Sequence, residues 1–173
     1  MPASGRTLGA ADAPVVIEVW SDFQCPACGQ LARDIEPRLV GEYVAAGTAR
    51  LVYHDFAFLG EESLLAAAGS REAAEQGRFW AFHDLVFANQ AGENEGAFRT
   101  ERLVAMARLA GLDLGAFERA LTDPALRAAI AQETAEGRAL GVTSTPTLVI
   151  NGQGYRGVPD YAALSALIED LAG

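Results

Sequence analysis

Ser21-Asp22-Phe23-Gln24-Cys25-Pro26-Ala27-Cys28 joins an apolar run, Val15-Val16-Ile17-Glu18-Val19-Trp20, to a helical pattern that begins at Ala27 or Cys28. The two cysteines therefore stand where a buried strand turns into a helix. Unpaired backbone N–H groups and the helix dipole favour negative charge at such a start, so a thiolate at Cys25 gains over the thiol. Pro26 suits a first helical turn, because its missing N–H would have no partner there. Cys28 follows one turn later, within reach of a disulfide with Cys25. Thiol–disulfide exchange needs this pair: one thiolate to attack and a second thiol to resolve the mixed disulfide.

Two other readings of C-x-x-C compete. A zinc site wants four ligands, whereas the chain has two cysteines, and its two histidines, His54 and His83, lie outside finger-like spacing. A structural staple across so short a loop would remove little chain entropy. The strand–C-x-x-C–helix context favours redox chemistry over both.

Length and composition narrow the rest. A chain of 173 residues, half of them hydrophobic, can bury a real core in one domain or in one domain with an insertion. No apolar run approaches a membrane span. A formal charge of −10 argues against nucleic acid and anionic membrane as partners. All 13 basic residues are Arg, so no lysine stands beside the thiols. Met1 to Asp12 lacks the apolar core of a signal peptide. Two expectations follow, a cytoplasmic chain or an exported one whose signal lies outside this sequence.

Outward from the cysteines, Met1 to Asp12 reads as a loose lead-in and Val15–Ser21 as a strand covered on both faces. Glu18 interrupts it, either as a proton acceptor for the second thiol or as an acid at an edge. Leu31, Ile35, Leu39 and Tyr43 mark one helical face, which Pro37 should kink and Gly47 end. Ala49 to Phe56 reads as a second, parallel strand. From Leu59 to Gly141 only helical periodicity appears, with helices expected at Ser63–Gln76, Phe79–Asn89, Thr100–Ala110, Leu114–Leu121 and Pro124–Leu140. Asp123 and Pro124 open the last of these and Gly141 stops it. His83, among Phe79, Trp80, Phe82 and Phe87, reads as a packed histidine. Thr147–Ile150 and Gly154–Arg156 read as a hairpin about Asn151-Gly152, and Asp160 as the cap of a closing helix.

Several stretches together resemble the DsbA-like branch of the thioredoxin superfamily. They are Asp12-Ala13-Pro14-Val15, the Ser21–Cys28 stretch, Phe79-Trp80-Ala81-Phe82-His83-Asp84, Gly111-Leu112-Asp113, and Gly141-Val142-Thr143-Ser144-Thr145-Pro146-Thr147 leading to Asn151-Gly152. The resemblance implies an α/β thioredoxin-like fold with an inserted all-helical domain: residues 1–58 and 142–173 form the thioredoxin-like part and 59–141 the insertion. It implies a cis Pro146 facing the cysteine pair, with Thr145 offering its backbone to a substrate strand and Pro146 keeping metal from the thiols. Cys25, Cys28 and Pro146 are then the catalytic residues, and Thr145, Pro26 and Ala27 the substrate contacts.

This chain departs from the pattern twice. The buried acid found six residues before the first cysteine in many relatives is Val19 here, and Glu18 is one residue off, on the opposite strand face. The dipeptide between the cysteines is Pro-Ala, not the Pro-His of the strongest oxidases, so Ala27 brings no imidazole to Cys25.

The expected activity is thiol–disulfide exchange, with protein disulfide oxidation in the cell envelope or periplasm leading. A reductase, an isomerase or a cytoplasmic relative is the alternative within the class, and a metal-binding C-x-x-C module the alternative outside it. The expected partners are cysteine-containing client proteins and a redox partner that resets the thiols. No cofactor, metal, nucleic acid or transmembrane segment is expected, and the chain is read as a monomer.

Overall fold

The computed structural model describes residues 1–173. Its first finding corrects the sequence reading, because the lead-in is a small hairpin. Ala3–Ser4 (β1) and Thr7–Leu8 (β2) pair antiparallel about Gly5, which takes a positive φ of 56°. Two-residue strands carry no readable periodicity. What orders them is tertiary, since β2 pairs with the second long strand, Thr7 opposite Val52 and Leu8 opposite Leu51.

Val15–Ser21 (β3) and Ala49–Asp55 (β4) run parallel, from Val15 opposite Ala49 to Ser21 opposite Asp55. The helix between them begins at Pro26, one residue earlier than its apolar pattern announced. Pro26–Gln30 (α1) widens into π-type turns at Leu31–Ile35, resumes as Glu36–Leu39 (α2), and widens again at Val40–Val44. The wide turn sits ahead of Pro37, whose ring and missing N–H disrupt i→i−4 bonding. Gly47 ends the helical run with a φ of 76°.

Five helices follow: Glu61–Glu75 (α3), Phe79–Ala88 (α4), Thr100–Leu109 (α5), Leu114–Leu121 (α6) and Pro124–Ala139 (α7). Asp113 caps α6 by accepting from Ala116 N, and Asp123 caps α7 by accepting from Ala125 N, each satisfying an otherwise orphaned donor. Thr147–Ile150 (β5) and Gln153–Arg156 (β6) then form the expected hairpin. Asp160 caps Tyr161–Ala172 (α8) through Ala163 N. The sheet order is β1-β2-β4-β3-β5-β6, with β5 antiparallel to β3.

Strand alternation divides β3 between two faces. Val15, Ile17 and Val19 pack on Leu31, Ile35 and Leu39 of the first helical run and on Leu164 and Ile168 of α8. Full burial of one such side chain contributes about 1.5–3 kcal/mol. On the other face Trp20 packs with Phe56 and Val142 beneath α7. Gly137 permits that approach, since a Cβ there would lie 2.7 Å from the Trp20 ring.

The helices α3–α6 enclose a second core, and the sheet side completes it. Phe23, Tyr53, Cys25 and Cys28 share one buried cluster with Phe79, Phe82, Phe87, Phe98, Leu103 and Phe117. The thiols thus lie on the seam between sheet and helical block. Charged side chains close the seam elsewhere. Arg6 donates to Asp55 at 3.2 Å and to Glu133 at 2.8 Å, and Arg71 donates to the same two at 2.7 and 2.6 Å.

Candidate active site

Cys25 is the N-cap of α1, extended at φ −67° and ψ 121°. Its N–H donates to Asp22 O at 3.0 Å, and its carbonyl accepts from Gly29 N at 3.0 Å. Three side chains fix the approach to it. Asp22, buried, accepts from Gln24 N, Phe58 N, Leu59 N and the Ser63 hydroxyl at 2.6–3.1 Å. The Gln24 amide donates to Ser63 Oγ at 2.9 Å and accepts from Asn94 N at 2.6 Å. From the loop just beyond α4, Gln90 Nε2 donates to Phe23 O at 2.7 Å and to Cys25 O at 3.0 Å. A buried carboxylate with four donors and two amides with both ends engaged leave this loop little freedom.

The two sulfurs differ sharply. Cys25 is 8% exposed and Cys28 1%, and both are free thiols. The Cys28 S–H donating to its sulfur holds Cys25 down to about 6, against the opposing cost of burial. Thr145 and the backbone N–H groups of Cys28 and Ala27 add to that stabilisation. Burial first, and then the Cys25 sulfur, pushes Cys28 well above its ordinary value. Cys25 is therefore the acidic thiol of the pair and Cys28 the one that keeps its proton.

Opposite them lies the loop before β5. The Thr145–Pro146 peptide is cis, and Pro146 is buried. As a thiol, Cys25 donates to the Thr145 carbonyl at 3.5 Å. Ionised, it has no proton to give, and the Thr145 hydroxyl, buried with no other partner, becomes the donor that favours the thiolate. Gly157 N donates to Pro146 O at 2.8 Å and Thr147 Oγ1 to Ser144 O at 2.7 Å, which ties the loop to its hairpin. Between the cysteines Pro26 is exposed and Ala27 half-buried. The structure thus brings Cys25, Cys28, Thr145 and Pro146 together, with Pro26 and Ala27 at the rim.

Glu18 has a different neighbourhood. It projects from the face opposite Val19, 3.3 Å from His54 Nε2, and His54 Nδ1 lies 2.9 Å from Glu133. His83 is the packed histidine anticipated from its neighbours. It is enclosed by Phe23, Tyr53, Phe79, Trp80 and Phe87, with Nδ1 2.9 Å from Asp84 and Nε2 3.6 Å from Glu36. Sequence reasoning missed Asp22, Gln24, Ser63, Gln90 and Asn94. The first two stand inside the decisive stretch, where an Asp and a Gln among apolar residues were a usable signal. The other three come from elements that only the fold brings near.

Known proteins resemble this chain in sequence and fold. The family profile described as thioredoxin matches residues 3–170. A probable disulfide bond formation protein D from Bacillus cereus is 28% identical over 168 residues, which cover 95% of this chain and 77% of that protein. The crystal structure of oxidised BdbD from Bacillus subtilis superposes with a TM-score of 0.90 at 24% identity, covering 97% of this chain and 92% of that one. That of oxidised Mtb DsbA gives 0.78 at 27% identity, with 97% and 92% covered. Acidic thiol, protonated partner and facing cis-proline loop thus belong to a chain of the thioredoxin family, a DsbA-like thiol–disulfide oxidoreductase.

Proposed function

We propose that the chain is a protein disulfide oxidase that donates the Cys25–Cys28 bond to cysteine-containing client proteins. A client thiolate attacks Cys25 Sγ, the more exposed sulfur, and the Cys25–Cys28 bond breaks. Cys28 departs with the electron pair and takes up a proton, as a thiol with so high a pKa must at neutral pH. The second client thiolate then attacks the client sulfur of the mixed disulfide, and Cys25 leaves as a stable thiolate. The client loses two electrons and the protein gains them. In the reverse sense Cys28 resolves a mixed disulfide held on Cys25.

The observation that carries this reading is the asymmetry of the pair. Cys25 caps a helix start and faces the Thr145 carbonyl at 3.5 Å, while Cys28 is fully buried behind it, an arrangement that holds the Cys25 thiol down and pushes Cys28 up. A stabilised thiolate favours the reduced protein and so makes its disulfide oxidising. Thr145 and Pro146 act as the ledge for a client backbone, and Pro26 and Ala27 as contacts at the rim. Residues 59–141 serve as a helical insertion that completes the thiol environment. The name of the Bacillus cereus relative, a disulfide bond formation protein, supports the same direction. So does the chemistry of compartments: against cytosolic glutathione such a disulfide would stay reduced, whereas an oxidising cell envelope lets it act. A separate redox partner must then reoxidise the thiols after each turnover.

The test is transfer to a reduced, unfolded substrate. Oxidised wild-type protein should form substrate disulfides, and Cys28→Ser, which can hold a mixed disulfide but cannot carry an internal bond, should not. Equal rates for the two would remove the oxidase reading.

A further inference from the structure

Gln90 lies 65 residues from Cys25 in sequence, just beyond α4, yet its side-chain amide uses both donors on the active-site turn. Its orientation is fixed by its partners. Nε2 faces the carbonyls of Phe23 and Cys25, and Oε1 faces Arg33 Nη1 at 3.2 Å. A flipped amide would set an oxygen against two carbonyls and an NH2 against a guanidinium, with every contact repulsive. Arg33 is itself anchored, donating to Phe87 O at 2.7 Å. The first helical run makes room for this brace at Gly29. A Cβ there would collide with the Gln90 amide and come within 2.6 Å of Arg33 Nη1. A glycine inside a helix is less favourable than alanine, so the close approach gives this one its place.

We propose that Gln90 is a positioning residue of the redox reaction, pinning the Phe23 and Cys25 carbonyls so that the helix start stays aimed at the Cys25 sulfur. The Cys25 carbonyl opens the helical bonding pattern through Gly29 N. Rotation of that peptide would swing the Ala27 and Cys28 N–H groups away from the sulfur, and Gln90 resists it from outside the helix. The brace therefore couples the helical block to the ease with which the thiols give up or take an electron pair. It rests on Cys25 being the sulfur that carries the mixed disulfide and leaves as a thiolate.

The variants are Gln90→Met, which keeps the length and loses the donors, and Gly29→Ala, which displaces the amide while improving helix propensity. Alkylation rate against pH, on reduced protein, reads the Cys25 pKa, and equilibration with glutathione reads the potential. Both variants should raise the Cys25 pKa by about one unit, which weakens the disulfide as an oxidant up to tenfold, about 30 mV. Ile130→Val, which trims a buried contact between α3 and α7, is the stability control and should leave the pKa where it is. If Gln90→Met melts earlier but titrates as wild type, or Ile130→Val shifts the pKa as much, Gln90 is a fold brace only and the proposal fails. If Gln90→Met does not fold, Gly29→Ala decides alone. If wild-type Cys25 itself titrates like an ordinary thiol, the assignment of Cys25 as the stabilised leaving thiolate fails instead, which separates the two ideas.

Discussion

Replacing Cys28 with alanine should cost Cys25 a large part of its acidity, and the size of the loss follows from the site. The Cys28 S–H is the largest of the groups that hold the Cys25 thiolate at about 6. A hydrogen bond to a charged group contributes about 1.5–3 kcal/mol, and one pKa unit is about 1.4 kcal/mol. Its removal therefore moves Cys25 up by about one to two units. The Thr145 hydroxyl and the helix N–H groups remain, so the ordinary 9.0 is not regained. Cys28→Ser keeps a donor in place and should shift Cys25 by less than about one unit. Each variant has a single thiol, so alkylation rate against pH gives one inflection without coupling. An inflection near 6 in Cys28→Ala would refute the reasoning and leave the Thr145 hydroxyl and the helix start as the causes.

The same shift sets a redox and stability expectation. A thiol lowered on folding stabilises the reduced native state fully above its unfolded pKa, and that gain is lost as pH falls through the folded value. For a fall from 9.0 to about 6, the gain at pH 7 is about 1.4 kcal/mol, trimmed to about 1 kcal/mol by solvent on the open side. Cys28, still protonated at that pH, contributes nothing.

Further outcomes follow from other parts of the structure. Thr145→Val, which keeps the side-chain shape and removes the hydroxyl, should raise the Cys25 pKa by less than about one unit; a pKa equal to wild type in the same alkylation profile would contradict a role for that hydroxyl. Arg71→Met strips a partner from Asp55 and Glu133 and should lower stability by about 3 kcal/mol in urea melts, whereas an unchanged midpoint would mean Arg6 suffices. In that cluster burial pushes Asp55 up to about 6, while His54 and Arg6 hold Glu133 down to about 2 despite its burial. The Glu133 contribution is present above pH 4.5 and lost as pH falls through 2; Asp55 opposes it, costing stability as pH rises from 3.8 to 6. Expressed alone, residues 62–140 should give a fragment without cooperative unfolding, because Phe23, Tyr53 and both cysteines are missing from its core; a sharp melting transition would show an independent domain.

Strong local signals explain what the sequence made legible. Val15–Ser21 and Thr147–Ile150 are apolar runs between breakers, and the structure has strands at those residues. Asp123-Pro124 and Asp160 are capping signals and they open α7 and α8. The N-terminal hairpin stayed hidden because β2 is held by β4, a partner more than 40 residues away. The spacing of four at Leu31, Ile35, Leu39 and Tyr43 fits a kinked α-helix as well as one with π-type turns, so the sequence marks only the kink at Pro37. At the site the cysteines and Pro146 carried their own motif. Gln90 and Asn94 are ordinary loop residues until the helical block folds against the Cys25 turn.

The reduction potential of the Cys25–Cys28 pair, measured by equilibration with glutathione at neutral pH, tests the oxidase reading most directly. A thiolate stabilised by a helix start but lacking an imidazole at Ala27 predicts a potential between about −270 mV, that of thioredoxin, and about −120 mV, that of DsbA. A value at or below about −270 mV would contradict net oxidation and make the protein a reductase.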